Sequence, residues 1–105
     1  GPRPRDIEQA LFRVFQESLS NIARHAEASL VEAALQISPE RVTLTIHDNG
    51  RGFDPQSTPP GALGLAGMKQ RVAEIGGTFK VESRLALGTQ IPVDVQPAGQ
   101  GRFQA

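Results

Sequence analysis

Two stretches carry side chains at spacings that could bind or activate a ligand. The first is Asp48-Asn49-Gly50-Arg51-Gly52-Phe53, which follows Val42-Thr43-Leu44-Thr45-Ile46-His47. In that run Val42, Leu44 and Ile46 alternate with Thr43, Thr45 and His47, the period of a strand with one buried face. Carrying the alternation one residue further sets Asp48 on the buried side, at the strand's C-terminal end. A carboxylate there must find hydrogen-bond donors or lose its charge. The plainer reading is a turn alone, since Asn-Gly is a hairpin signal and Asp suits turns. The second stretch places Glu17 and Asn21 on one line of a helix, with Arg24 and His25 one turn further along. Its plainer reading is a solvated flank with intrahelical pairs, each contributing about 0.3 kcal/mol. Asn21 fits that reading least, because Asn is a mediocre residue inside a helix.

The elements that hold these residues follow from the surrounding pattern. Ile7, Leu11, Val14, Phe15, Ser18, Leu19, Ile22 and Ala26 recur at helical spacing, so an amphipathic helix is expected from Asp6 to about Ala26. Asp6 is expected to open it with Gln9 as capping partner. Val31, Ala33, Leu35 and Ile37 alternate with Glu32, Ala34 and Gln36, a strand whose turn Ser38-Pro39-Glu40-Arg41 leads into Val42–His47 as an antiparallel hairpin. Residues 54–61 contain three prolines and no apolar side chain, and are expected to form a mobile lid.

Gly64-Leu65-Ala66-Gly67-Met68 then opens a second helix, with Leu65, Met68, Val72 and Ile75 on one face and Gly76-Gly77 as its stop. A glycine-flanked helix start presents free N–H groups and the positive end of a dipole, which suit a phosphate; the plainer reading is a linker docking an ordinary helix. Thr78–Ser83 and Thr89–Val95 form a second hairpin joined around Gly88, with Phe79, Val81, Ile91, Val93 and Val95 inward. Pro92 removes one ladder donor, so an exposed edge or a bulge is expected beside it. Helix, two strands, lid, helix and two strands make an α/β two-layer sandwich, its helices on one face of a mixed, mostly antiparallel sheet. Residues 1–5 read as a tag remnant and leader, 6–95 as the domain and 96–105 as a flexible tail, and the whole is expected to be a piece of something longer.

Composition narrows the function classes. The chain has 105 residues, enough for one domain with a core. Lys plus Arg equals Asp plus Glu at 11 each, and no like-charge run occurs, so nothing favours nucleic acid or an acidic membrane. The absence of cysteine excludes disulfides and thiolate metal sites. No stretch has the length and apolarity of a spanning helix or a signal peptide.

The series as a whole resembles a known family. Glu-x-x-x-Asn-x-x-Arg-His on a helix, a strand-ending Asp-x-Gly-x-Gly, a lid, Gly-Leu-x-Gly-Met-x-x-Arg and Gly-Thr occur in the order seen in the Bergerat-fold ATP-binding domain of gyrase, the Hsp90 chaperones, sensor histidine kinases and MutL. More narrowly, residues 15–26 resemble the asparagine box of the histidine kinases that partner NarL/LuxR-type response regulators. Residues 48–53 and 64–71 resemble their two glycine boxes. The resemblance spans roughly Asp6 to Val95. It implies that Asp48 accepts the exocyclic amine of adenine, with Thr89 supporting, and that Gly50 and Gly52 let the backbone approach base and sugar. It implies Mg2+ on the Asn21 carbonyl oxygen, since a hard cation prefers oxygen and keeps waters and phosphate oxygens as its other ligands. Arg24 and His25 are implied beside the phosphates, and Gly64, Leu65, Gly67 and Met68 form the phosphate-covering box. Glu17 occupies the position that orients or activates a nucleophile in related ATPases.

The chain departs from the pattern in three places. Ala62 stands where the subfamily carries a glycine, which is expected either to stiffen the lid or to shift its hinge to Gly61. The phenylalanine box of long-lid kinases is missing. Neither His25 nor His47 sits in a phosphoacceptor context. The resemblance therefore implies a catalytic domain that binds ATP and Mg2+ and presents the γ-phosphate to a histidine on a separate dimerisation domain of the same kinase, and through it to a response regulator. The parent is expected to be a homodimer, membrane-anchored or soluble; the isolated domain is expected to be monomeric and cytoplasmic, without nucleic-acid partners. The alternative is an anti-sigma-type serine kinase and binding module on the same fold.

Overall fold

The structure, a computed structural model, describes residues 3–57 and 62–96. The elements are α1 (Pro4–Asn21), a π-helical turn (Ile22–Ala26), β1 (Val31–Ile37), β2 (Val42–Asp48), a short 3-10 turn (Ala62–Gly64), α2 (Leu65–Glu74), β3 (Gly77–Phe79), β4 (Glu82–Arg84) and β5 (Gly88–Val95). Most of the expected tail and the second half of the expected lid, including Gly61, lie outside the described residues. No helix among the described residues is long and apolar enough to cross a membrane.

α1 starts earlier than the capping pattern predicts. Pro4 opens it, tolerated because the first helical N–H has no intrahelical partner to lose. Asp6 still caps, but from inside the first turn, accepting the Arg3 amide at 3.2 Å, while Gln9 stays exposed. The helix also ends differently. Its regular ladder stops at Asn21 and widens into the π turn, which Glu27 terminates in the left-handed region at φ 53°. Single π turns of this kind are rare and concentrate at functional sites.

The sheet runs β1-β2-β5-β3 with β4 also beside β5, five strands whose ladders are all antiparallel among the described residues. α1 and α2 pack over its centre. Ile7, Leu11 and Val14 meet Leu44 and Ile46 from β2, Val72 from α2 and Ile75 just past its end, and Ile91, Val93 and Val95 from β5 in one apolar core. β5 is thus the middle strand, and Pro92 lies inside the sheet rather than at an edge. Its neighbours accommodate it by a lapse in pairing: β3 stops at Phe79, β4 starts at Glu82, and the register against β5 is the same on both sides. No residue is inserted, so there is no bulge there. Lys80 N–H donates to the Pro92 carbonyl at 3.1 Å, which places the hydrogen-free Pro nitrogen toward this gap.

β1 departs most from expectation. Val31, Ala33, Leu35 and Ile37 do share the inner face, opposite Asp48, Ile46, Leu44 and Val42. Every residue of the strand is nevertheless exposed, Ile37 at 73 %. The two helices stand over β2, β5 and β3, and nothing among the described residues stands over β1. An apolar groove with Phe12 and Leu35 on its two sides results.

Candidate functional site

Asp48 closes β2 on its buried face at 3 % exposure, as the alternation requires. Its carboxylate is partly satisfied from within its own turn, where the Gly50 amide donates to Oδ1 at 2.8 Å. Thr89 lies directly across the ladder from it. The Thr89 hydroxyl is 2.7 Å from Ser83 Oγ, and Ser83 Oγ donates to the Gly88 carbonyl at 3.1 Å and accepts the Phe53 amide at 2.9 Å. With its one proton on Gly88, Ser83 can only accept from Thr89, so Thr89 keeps its lone pairs for another donor.

The turn after Asp48 knits three segments together. Asn49 accepts the Ser29 and Leu30 amides on Oδ1, both at 3.0 Å, and donates from Nδ2 to Ser29 Oγ at 3.0 Å. It braces the link between the π turn and β1. Asn49→Ala removes all three bonds at a partly wetted site and is expected to cost about 1 kcal/mol. A urea midpoint lowered at unchanged slope is the expected result; an unaltered midpoint would show the bonds contribute nothing. Gly50 approaches the Ala26 carbonyl so closely that a Cβ would overlap it, and a Cβ on Gly52 would overlap the Arg84 carbonyl. The nearest constraint on both glycines is therefore protein backbone. Arg51 caps the π turn, its amide donating to the Ala26 carbonyl at 2.8 Å and its Nε to the His25 carbonyl at 2.7 Å. Those two bonds gather carbonyls that the end of a helix leaves free.

α1 supplies the opposite wall. Asn21 is half-buried, and its Nδ2 donates to the Leu63 carbonyl at 2.5 Å. Ser18, fully buried one turn earlier, donates to the Met68 sulfur at 3.6 Å.

One pocket gathers Asn21, His25, Asp48, Gly52, Leu65 and Thr89 from the candidate residues. Ser18, Arg51, Phe53 and Leu63 also line it, together with the apolar walls Ile22, Ile46 and Ile91. The remaining candidates lie elsewhere. Gly50 is buried behind the turn against Ala26. Met68 belongs to the core at 3 % exposure. Arg24 points to solvent beyond the pocket wall, because the π turn widens the helix where its line would continue. Glu17 and Gly64 face each other at the rim, with Glu17 Oε2 3.0 Å from where a Gly64 Cβ would be. Gly67 is exposed on α2 with open space around it. Of the residues missed, Ser18 signalled itself as a polar member of an apolar stripe. Nothing in the sequence marks Leu63, a leucine held at φ 62°.

Apolar walls closed at one end by an inward acceptor suit a flat heteroaromatic ring carrying an amine. Asn21 and His25 at the other end suit charged groups attached to it. Among the described residues no cluster of His, Cys, Asp and Glu could hold a metal unaided. A single carboxamide oxygen beside a phosphate chain fits Mg2+, which retains waters and binds through substrate oxygens.

The family model described as histidine kinase-, DNA gyrase B-, and HSP90-like ATPase matches residues 6–99. Sensor histidine kinase LiaS of Bacillus subtilis (strain 168) is 43 % identical over 91 residues, covering 87 % of this chain and 25 % of LiaS. The blue-light activated histidine kinase of Erythrobacter litoralis EL346 superposes with a TM-score of 0.76 at 26 % identity, over 93 % of this chain and 35 % of that one. The ATP binding domain of PrrB from Mycobacterium tuberculosis gives 0.66 at 25 % identity, over 90 % of this chain and 68 % of that domain. This chain thus spans about a quarter of the length of the curated relatives it matches.

Proposed function

Since the chain belongs to the family of histidine kinase-, DNA gyrase B-, and HSP90-like ATPases, we propose that it is the ATP-binding catalytic domain of a sensor histidine kinase, of the kind that partners NarL/LuxR-type response regulators. The observation that supports this reading best is that Asp48 and Asn21, from two separate elements, open into one pocket. Adenine enters between the isoleucine walls with its amine on Asp48 and Thr89 beside it. Asn21 Oδ1 would hold Mg2+, whose charge would offset that of the phosphates. Leu65 and the start of α2 flank the phosphate chain with His25, and Glu17 at the rim is positioned to orient the nucleophile.

The reaction is transfer of the γ-phosphoryl group from ATP to an imidazole nitrogen of a histidine on a separate dimerisation domain. The bond from phosphorus to the bridging oxygen breaks, a phosphorus–nitrogen bond forms, the imidazole gives up a proton and ADP leaves. The phosphoryl group then passes to an aspartate of the regulator. This domain's contribution is positioning and electrostatic stabilisation; it acts in the cytoplasm, as part of a homodimeric parent.

Asn21→Asp tests the metal half of the site. It keeps the shape, sets a negative charge beside the phosphates and turns the bond to the Leu63 carbonyl into a repulsion between oxygens. Calorimetry with ATP and Mg2+ is expected to show affinity lowered roughly tenfold or more. Wild-type affinity in this variant would remove Asn21 from the site.

A further inference from the structure

Leu63 has no part in the reading above, yet it touches the side chain on which the Mg2+ site depends. We propose that Leu63 is a positioning residue: its main-chain carbonyl holds the Asn21 carboxamide in the orientation that leaves Oδ1 free for the cation. The inference rests on the reading of Asn21 as the Mg2+ ligand.

A carboxamide has a donating end and an accepting end, and rotation about its last torsion is soft and nearly two-fold. Left to itself, Asn21 would present nitrogen to a cation about as readily as oxygen. The Leu63 carbonyl removes that choice. It can only accept, so at 2.5 Å the atom facing it must be Nδ2. Oδ1 then has no hydrogen-bond partner among the described residues.

The carbonyl is delivered by unusual backbone. Leu63 (φ 62°, ψ 11°) and Gly64 (φ 65°, ψ 18°) are consecutive left-handed residues at the entry to α2. A leucine adopts that region only where its surroundings impose it. Both residues lie against one face of α1: Leu63 on Asn21, and Gly64 on Glu17 one turn earlier, where a side chain at position 64 would crowd the carboxylate. The entry to α2 is thereby seated on the two α1 residues assigned to metal and nucleophile.

The role belongs to the main chain, so two substitutions separate it from side-chain packing. Leu63→Gly keeps the carbonyl and adopts the left-handed region freely. Leu63→Ile keeps the volume, but its branched Cβ disfavours that region. Two quantities are measured. One is the Asn21 side-chain amide signals by NMR, without metal or nucleotide. The other is the ratio of ATP affinity in MgCl2 to ATP affinity in EDTA, by calorimetry.

For wild type and Leu63→Gly, the expected results are one Nδ2 proton displaced from its free-carboxamide position by the bond to the Leu63 carbonyl, and similar affinity ratios. For Leu63→Ile, the bonded amide proton moves to the position of a free carboxamide and the ratio falls about fivefold, the loss being larger in MgCl2 than in EDTA. An unchanged ratio in Leu63→Ile, an equal loss with and without Mg2+, or a lost ratio in Leu63→Gly would each overturn the positioning role while leaving Asn21 as ligand. A wild-type ratio of one would instead remove the metal reading, and the positioning role with it. Should Leu63→Ile not fold, the Asn21 amide signals of wild type and Leu63→Gly decide: both Nδ2 protons at the positions of a free carboxamide would overturn the role.

Discussion

Asp48→Ala is expected to abolish ATP binding at concentrations that saturate the wild-type domain. Among the described residues Asp48 is the sole acid lining the pocket, and the walls around it are largely apolar. Nothing nearby can replace it as the acceptor of a base amine. A site built to meet a polar group of its ligand loses far more from a missing partner than an apolar pocket loses from a missing methylene. The expected loss is about 100-fold or more in affinity, or roughly 3 kcal/mol. Alanine also strands the Gly50 amide, whose 2.8 Å bond to Oδ1 disappears, so a stability loss of about 1–2 kcal/mol is expected as well.

Asp48→Asn separates the two effects. Its side-chain oxygen can still accept from Gly50, and its volume is preserved, but the other end becomes a donor facing the amine of adenine. Melting close to wild type combined with lost binding by calorimetry is the expected pair of results. ATP affinity within about threefold of wild type in Asp48→Asn would overturn the assignment of the adenine end.

Gly52→Ala is expected to have the largest effect on stability. Gly52 sits at φ 62°, where any side chain is strained, and the new methyl would overlap the Arg84 carbonyl. That carbonyl is main chain at the end of β4 and has no rotamer to move to. Relief would require shifting β4 or the Asp48 turn, and the next residue is already tied in, the Phe53 amide donating to Ser83 at 2.9 Å. Strain and overpacking together are expected to cost about 3–4 kcal/mol, a large share of a small domain's total. The melting temperature should fall by about 15 °C. A fall of less than about 4 °C would mean the turn can relax, and that this glycine is present for the ligand rather than for the fold.

β2 and β1 mark how far the sequence could be read. Both alternate cleanly, and in both the apolar set lies on the same face of the sheet as the pattern requires. In β2 the reading carried through to the site, because Leu44 and Ile46 are buried and Asp48 follows them. In β1 the same alternation ends in an exposed strand. Periodicity states which side chains share a face; whether another element covers that face is a tertiary fact with no local signature. The limits at α1 have the same origin. Its apolar stripe is plain, but the π turn depends on Arg51 bonding carbonyls distant in sequence, and it carries Arg24 out of the pocket. Leu63 was illegible for a different reason, since leucine is among the residues least expected at positive φ. The motif sets Gly50 and Gly52 against a ligand; Gly52 does line the pocket, but the atoms nearest to the missing Cβ of each are main chain, of Ala26 and Arg84.

The 2.8 Å bond from the Gly50 amide to Asp48 also bears on which purine the pocket accepts. With Oδ1 anchored there, the carboxylate cannot turn aside, and its remaining lone pairs meet whatever group the base presents. Adenine offers a donor at that position and guanine an acceptor oxygen. On the proposed binding mode, GTP would be turned away by electrostatic sign rather than by size, through an anchor set when the chain folds, before any nucleotide arrives.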